Sequence, residues 1–100
     1  MRGLDELTRE AQKPRLGDQK VVMAYVLMNL DPDEGAGLFR SLREIEEVKE
    51  VHSLFGVYDV VVRLEAEDQK DLEKLIIWKI RKLPGVRQTI TNWVHLGYKR

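Results

Sequence analysis

One short motif carries side chains that could hold a polar ligand: Gly56-Val57-Tyr58-Asp59, which lies between the strand-forming runs Val51–Phe55 and Tyr58–Leu64. A glycine that joins two such runs so closely predicts a tight β-hairpin, in which Gly56 supplies the positive φ that such turns often need. Asp59 follows the turn, where solvent and open backbone are within reach. Its carboxylate could accept a hydrogen bond from a ligand's ammonium group, or it could bond to amides of the turn.

Length and composition restrict the class of protein. The 100 residues fit one domain, and 43% hydrophobic with 34% charged side chains is typical of a soluble globular chain. The absence of cysteine excludes disulfides and thiol nucleophiles. The 17 basic and 17 acidic residues cancel, which argues against direct nucleic-acid binding. The longest apolar run, Val21–Met28, is far shorter than the roughly 20 residues that span a bilayer, so no membrane is predicted. The N-terminus does not resemble a signal peptide, and we expect a cytoplasmic protein.

The chain divides near residue 20. Residues 1–19 form a leader in which Pro14 and Gly17 interrupt a helical pattern, and we expect it to be mobile or docked on a neighbour. Residues 20–100 predict the order strand, helix, strand, strand, helix, strand. The predicted strands are Gln19–Leu30, Val48–Phe55, Val57–Ala66 and Val86–Tyr98.

Helix starts and apolar stripes support this order. In the first helix, Asp31 fits the N-cap, Pro32 the first position and Glu34 the third, which together make a capping box. In the second helix, Asp68 fits the N-cap. Each helix has one apolar stripe at helical spacing. The stripe residues are Leu38, Phe39, Leu42 and Ile45 in the first helix, and Leu72, Leu75, Ile76, Ile80 and Leu83 in the second.

This element order predicts a ferredoxin-like βαββαβ sandwich of the α+β class: a four-stranded antiparallel sheet with both helices on one face and the first and third strands central. Apolar residues occupy both the odd and the even positions of the first strand. A strand with one face in solvent should instead alternate apolar with polar residues. We therefore expect a second copy to cover the open face. Four or five apolar side chains at ~1.5–3 kcal/mol each give about 10 kcal/mol gross, which is similar to the cost of association, and we expect a homodimer through this face.

Several segments together resemble a known family. They are Ala24-Tyr25-Val26-Leu27, Val48-Lys49-Glu50-Val51, Gly56-Val57-Tyr58-Asp59-Val60-Val61-Val62, Leu83-Pro84-Gly85-Val86 and Thr89-Ile90-Thr91. In this order and spacing, residues 20–96 resemble the effector-binding (RAM) domain of the Lrp/AsnC, or feast/famine, transcription regulators. The resemblance implies the same fold, dimers joined through sheet faces that often form octamers, and a small effector, usually an amino acid, bound where dimers meet.

The resemblance also implies a ligand site. By its pattern, Gly56, Val57, Tyr58 and Asp59 line the effector pocket, and the last strand adds Thr89 and Thr91. Each has a plainer interpretation: Tyr58 as packing, and the threonines as strand formers on a solvated edge. Full-length relatives carry an N-terminal helix-turn-helix domain, for which residues 1–19 are too short. We therefore expect an amino-acid-responsive module without a DNA-binding domain, alone or in mixed assemblies with full-length relatives.

Two further function classes stay open. One is a small dimeric enzyme such as a monooxygenase, which would need polar residues such as His52 or Asn92 converging beside Trp93. No acid–base pair stands out, so we expect no enzyme. The other is an assembly adaptor without a ligand.

Weaker patterns predict no cofactor and no metal. His52 and His95 lack partners at metal-ligand spacing, and Gly35-Ala36-Gly37 lacks phosphate-binding spacing. Basic residues near the end of the second helix complement its dipole. Ile77 and Trp78 lie beside the buried stripe of the second helix. Two interpretations stay open for them: an exposed interface between dimers, or packing in the core.

Overall fold

The computed structural model describes residues 15–16 and 19–95, with side chains described for 21–95. Strands β1 (Arg15–Leu16) and β2 (Gln19–Lys20) pair with each other in a small separate sheet. The main elements then follow in chain order. They are β3 (Val22–Leu30), α1 (Gly35–Arg43), β4 (Val48–Ser53), β5 (Val60–Ala66), α2 (Gln69–Trp78), a 3-10 turn (Ile80–Lys82) and β6 (Val86–Trp93).

The main sheet is antiparallel and has the strand order β4-β5-β3-β6. The first and third main strands are therefore central, and the predicted ferredoxin-like fold is confirmed. Side chains of alternate residues on β3 and β5 pack with both helices into one core. The buried members are Ala24, Val26, Met28, Leu38, Leu42, Ile45, Val60, Val62, Leu64, Leu72, Ile76 and Ile80.

The second helix agrees closely with prediction. The side chain of Asp68 caps α2 by accepting a hydrogen bond from the backbone N–H of Lys70 at 2.9 Å. The predicted stripe is buried, with Leu75 and Leu83 at its margins. The α-helix ends at Trp78, before the end of its predicted stripe, and the 3-10 turn Ile80–Lys82 carries the rest of the stripe. Gly85 follows with φ +87°, a left-handed conformation that favours glycine. Its carbonyl accepts from the N–H of Asp31 at 2.8 Å, joining the end of β3 to the start of β6.

The start of α1 was predicted wrongly. Glu34, not Asp31, is the N-cap residue, and its side chain makes no capping hydrogen bond. Residues 31–34 instead form a turn in which the N–H of Glu34 bonds to the carbonyl of Asp31 at 3.3 Å. Pro32 and Asp33, which has φ +70°, occupy its centre, as in a type II turn. The same Asp-Pro pair suits a turn as well as a cap.

The strand ends also differ from prediction. The first predicted strand is interrupted at Val21, so its first two residues belong to β2. β4 ends at Ser53 and β5 begins at Val60, so residues 54–59 form a longer loop than the predicted tight hairpin. Gly56 does not adopt a positive φ. Within residues 15–16 and 19–95, no helix is long and apolar enough to cross a membrane.

Candidate functional site

The loop of residues 54–59 is fastened to the C-terminal end of β3. The N–H of Asp59 donates to the carbonyl of Met28 at 2.9 Å, and its carboxylate Oδ2 accepts from the N–H of Leu30, also at 2.9 Å. From the other side, Asn29 Nδ2 donates to the carbonyl of Val57 at 2.7 Å. The loop is therefore held to β3 at both Val57 and Asp59.

The carboxylate of Asp59 bonds to a backbone amide, but not to one in its own turn as the plainer interpretation expected, and its ligand role stays a prediction. Its Oδ2 bonds to a backbone amide, that of Leu30 at the end of β3. A carboxylate offers about four acceptor positions on two oxygens, so this bond leaves acceptor capacity on a side chain that is exposed. Asp59 can thus shape the loop and still receive a donor such as an ammonium group.

The tip of the loop is apolar and faces solvent. Phe55 is fully exposed at 110%, and Val57 is 84% exposed. Leu54 is also exposed, whereas Tyr58 is half-buried. A methyl group added at Gly56 would meet no atom within 4 Å, so neither crowding nor a left-handed conformation requires glycine there. An exposed apolar tip on a fastened loop is the type of surface that marks an interaction site.

Beside this loop, the face of the sheet away from the helices has an apolar centre. Register places Leu27 between Val61 on β5 and Ile90 on β6. Tyr25, next along this face of β3, is 39% exposed, and Ile90 is 41% exposed. β3 thus carries apolar side chains on both faces, and the second copy expected to cover the open face stays a prediction.

A charged cluster flanks the apolar centre on the β4 side. Arg63 Nε donates to Glu50 Oε2, and Arg63 Nη1 lies 3.0 Å from Glu65 Oε2. His52 Nε2 lies 3.2 Å from Glu50 Oε1. Hydrogen bonding from His52, and then from Arg63, lowers the pKa of Glu50 below its ordinary value. Glu65 is buried, and Arg63 compensates its charge.

The threonines lie on the other side of the sheet. Thr91 pairs with Val26 and Thr89 with Met28, so both half-buried side chains share the helix-covered face of β6. β3 separates them from the loop that carries Asp59. A ligand role for these two threonines stays a prediction. In the structure, their half-buried side chains lie at the margin of the core.

The residues that an enzyme would need are separated. His52 lies on edge strand β4, whereas Asn92 and Trp93 lie on the opposite edge strand β6, with adjacent residues pointing to opposite faces. Over residues 15–16 and 19–95, no group of three or more His, Cys, Asp or Glu side chains is placed to hold a metal ion.

Two important residues were missed by reasoning from the sequence. Asn29 fastens the loop, and the only signal was a polar residue near the end of an apolar strand. Arg63 joins Glu50 to Glu65, a link that depends on the pairing of β4 with β5 and has no short-range signal.

The fold and the fastened loop define a small ferredoxin-like α+β domain, and comparison with known proteins identifies the family. The sequence profile of the Lrp/AsnC ligand binding domain matches residues 23–100, so this chain belongs to the Lrp/AsnC family. It is 34% identical over 71 residues to an uncharacterised HTH-type transcriptional regulator of Pyrococcus furiosus. That match covers 68% of this chain and 47% of the relative, so the chain spans about half the length of this relative.

A second relative is an enzyme. Homocitrate synthase of Saccharolobus islandicus is 35% identical over 91 residues, which cover 90% of this chain but 19% of the enzyme. The domain that resembles this chain is therefore a minor part of that enzyme.

Solved structures show the same fold. A hypothetical protein from Pyrococcus horikoshii has a TM-score of 0.70 and 34% identity, with 77% of this chain and 93% of that chain covered. A transcriptional regulator from Neisseria meningitidis, solved as an L-Met complex, has a TM-score of 0.73. Its identity is 14%, with 100% of this chain and 59% of that chain covered, so this likeness concerns the fold alone.

Proposed function

We propose that this chain is a non-enzymatic regulatory module that binds an amino acid at the junction between copies, with the loop of residues 54–59 lining the pocket. The observation that carries the proposal is the fastened loop, which presents an exposed carboxylate at Asp59 beside exposed apolar side chains at Phe55 and Val57. A site made of loop residues alone is shallow. A second copy placed against the loop would close it.

The chemistry of the loop fits an amino acid with an apolar side chain. Asp59 would accept from the α-ammonium group, in a charge-assisted hydrogen bond. Val57 and Phe55 would contact the side chain, and the neighbouring copy would complete the pocket. The match to the Lrp/AsnC ligand binding domain supports a small-molecule ligand.

Thermal unfolding tests this proposal. A ligand that binds only the folded state raises the melting temperature, with about 2.7 kcal/mol of stabilisation at 100 times Kd. Each of the twenty amino acids is added at millimolar concentration, and we expect a selective increase for one or a few apolar ones. The quantity compared between variants is the ligand-induced increase, because Asp59→Ala also removes the bond to Leu30 and lowers the starting temperature.

Two variants make the test specific. Asp59→Ala should abolish the ligand-induced increase. Asp71→Ala removes an exposed carboxylate in the first turn of α2, away from the loop, and should retain it. If none of the twenty amino acids raises the melting temperature, an assembly adaptor that binds no ligand is the better description of this chain.

The open face of the sheet is proposed as the dimer interface, since its apolar centre contains Leu27, Val61 and Ile90. Ile90→Asp would place a charge in this interface, and light scattering should then show a monomer. Ile77→Asp makes the same change at a similar exposure, 44% against 41%, but on α2, and should keep at least the dimer. A native chain that is monomeric at micromolar concentration would refute this interface.

A specific observation favours a second candidate function. In it, the partner that this chain regulates is a biosynthetic enzyme and not a DNA-binding relative. A match over 90% of the chain must include residues 11–90, whereas the family profile begins at residue 23. Similarity to the homocitrate synthase therefore extends upstream of the family domain. Purification of the tagged chain from its own cells tests this. Recovery of an HTH-type relative supports mixed assemblies with full-length regulators, and recovery of a synthase supports the second candidate.

A further inference from the structure

The row of side chains that crosses the centre of the open face ends in a histidine. Strand register aligns His52 on β4, Val61 on β5, Leu27 on β3 and Ile90 on β6. Three of these four residues form the apolar centre of the proposed dimer interface. A second copy placed against that centre would therefore also cover His52, whose side chain is 62% exposed.

The charged side chains around this histidine lie on the same face of the sheet. His52 Nε2 is 3.2 Å from Glu50 Oε1, while Arg63 bonds to the other oxygen of Glu50. Arg63 also contacts Glu65 at 3.0 Å. These four connected side chains are called the His52 cluster: Glu50, His52, Arg63 and Glu65.

The net charge of the His52 cluster depends on one proton. Two carboxylates and one guanidinium leave one net negative charge while the imidazole is neutral, and protonation of His52 removes it. Histidine is the side chain that ordinarily changes its charge between pH 5 and 8. Glu50 keeps its charge in this range, because hydrogen bonding from His52 and from Arg63 holds its pKa below the ordinary value.

The neighbouring strands do not balance this charge. Tyr25 of β3 lies opposite Arg63 in the register, and Met23 lies opposite Glu65. The side chains of β6 on this face are uncharged, namely Gln88, Ile90 and Asn92. Within residues 21–95, β3 and β6 therefore add no cation to the open face.

Two further charged side chains border the cluster. Asp59 lies just before β5, where its Oδ2 accepts from the N–H of Leu30, and it adds negative charge. Lys49 lies at the register shift in β4, and its Nζ donates to the carbonyl of Glu46 at 2.9 Å. In the described part of this face, His52 is therefore the side chain that can gain a balancing charge near neutral pH.

Burial in a dimer makes this balance important. Moving an unbalanced charge out of water costs more than moving a paired and hydrogen-bonded group. A face-to-face dimer with twofold symmetry buries two His52 clusters, one from each copy. With both imidazoles neutral the interface encloses two net negative charges, and with both protonated it encloses none.

We propose that the sheet-face dimer is pH-sensitive: protonation of His52 balances the cluster in each copy, so the dimer tightens as pH falls from about 8 to about 5.5. The inference rests on the proposed sheet-face interface and is independent of the amino-acid pocket. The dimer binds these protons more tightly than the monomer does, so by linkage the stability of the dimer is greatest at low pH and is lost as pH rises.

Sedimentation equilibrium at constant ionic strength, between a low limit of about pH 5.5 and a high limit of about pH 8, measures the dissociation constant of the dimer. If burial raises the proton affinity of each imidazole about tenfold, each copy contributes a factor of up to about ten. Two copies together contribute up to about 100-fold. We therefore expect the dissociation constant to rise by roughly 10- to 100-fold from the low to the high limit.

The chain has two histidines, His52 and His95, which supply a matched pair of variants. His52→Gln keeps a hydrogen-bond donor for Glu50 but cannot gain charge, so its dissociation constant should not depend on pH. His95→Gln replaces the exposed histidine that follows β6 and should keep the native dependence. His52→Lys is positively charged at both limits, so its dimer should stay tight at the high limit.

Glu50→Gln tests the charge balance itself. In this variant Arg63 and Glu65 balance each other, so a proton on His52 no longer neutralises the cluster. The tightening at low pH should disappear or reverse, whereas a purely structural role of Glu50 would weaken the dimer equally at both limits. Ile90→Asp should be monomeric at both limits, which assigns the effect to the open face.

A native dimer whose dissociation constant is the same at both limits would overturn this proposal alone. A His52→Gln or Glu50→Gln dimer that keeps the native dependence would do the same. A native chain that is monomeric at both limits would remove the sheet-face interface and this proposal together. Circular dichroism at each limit shows that every variant is folded.

Discussion

Substitution of Gly85 by alanine should destabilise the fold more than a surface change of one methyl group normally does. At φ +87° a side chain other than hydrogen is strained by about 1–2 kcal/mol. The added Cβ would also clash with Glu34 Cβ and lie 2.7 Å from Glu34 Cγ. Overpacking of this kind costs about 1–3 kcal/mol. These two costs total about 2–5 kcal/mol. The reduced freedom of the unfolded chain offsets about 1 kcal/mol, so the expected loss is about 1–4 kcal/mol.

Urea unfolding followed by circular dichroism measures this loss. With a slope of about 2 kcal/mol per molar urea, the midpoint should fall by about 0.5–2 M. Gly56→Ala is the matched control, because Gly56 has neither a positive φ nor an atom within 4 Å of the added methyl group. We expect its effect to stay within about 0.5 kcal/mol, as at ordinary surface positions.

A double variant separates the two causes. Gly85→Ala combined with Glu34→Gly removes the clashing side chain but keeps the backbone strain, so about 1–2 kcal/mol of the loss should remain. Glycine is tolerated at an N-cap, the position of Glu34. A Gly85→Ala protein as stable as the native chain, or a Gly56→Ala protein equally destabilised, would show that this reasoning about Gly85 is wrong.

Three other predictions concern stability. Asp68→Ala removes the side-chain cap of α2 and should cost about 0.5–2 kcal/mol, whereas Asp68→Ser should restore most of it in the same urea titration. Leu72→Ala leaves a cavity at a fully buried site and should cost about 2–5 kcal/mol, against less than about 0.5 kcal/mol for the exposed Lys74→Ala. Because the folded-state pKa of Glu50 lies below its ordinary value of 4.5, its contribution is present above pH 4.5 and is lost as pH falls through the folded-state pKa. Unfolding free energy measured against pH should therefore fall less steeply in Glu50→Gln, and an unchanged slope would contradict this.

The regular parts of the fold were predictable because local signals agreed with one another. α2 combines an N-cap at Asp68 with a stripe of buried residues, and the structure confirms both. The α-helix itself ends at Trp78, and a 3-10 turn continues the stripe. The sheet order followed from the element order. By contrast, Asp31-Pro32 satisfies the pattern of a helix cap and that of a turn, and only the approach of Gly85 to Asp31 and Glu34 decides between them.

The candidate site was predictable in position but not in geometry. The motif around Asp59 located the loop, yet its bonds to Met28 and Leu30 join residues that are distant in sequence. Asp59 also closes the hairpin, because its carbonyl accepts from the N–H of Leu54 at 2.8 Å. The chain therefore turns over residues 55–58 and not in the tight turn expected at Gly56. The cluster around Arg63 depends in the same way on strand register.

The loop and the open face share β3, and this has a thermodynamic consequence for the proposed regulation. Asn29 and Leu30 hold the loop, while Tyr25 and Leu27 of the same strand lie in the proposed dimer interface. If an effector stabilises the assembly, linkage requires that assembly tighten effector binding by the same factor. Effector affinity should therefore fall on dilution below the dissociation constant of the assembly, and Ile90→Asp should reproduce that fall at high concentration. Equal affinity in the dissociated and assembled states would mean that the pocket lies within a single copy, with Asp59 acting without a neighbour.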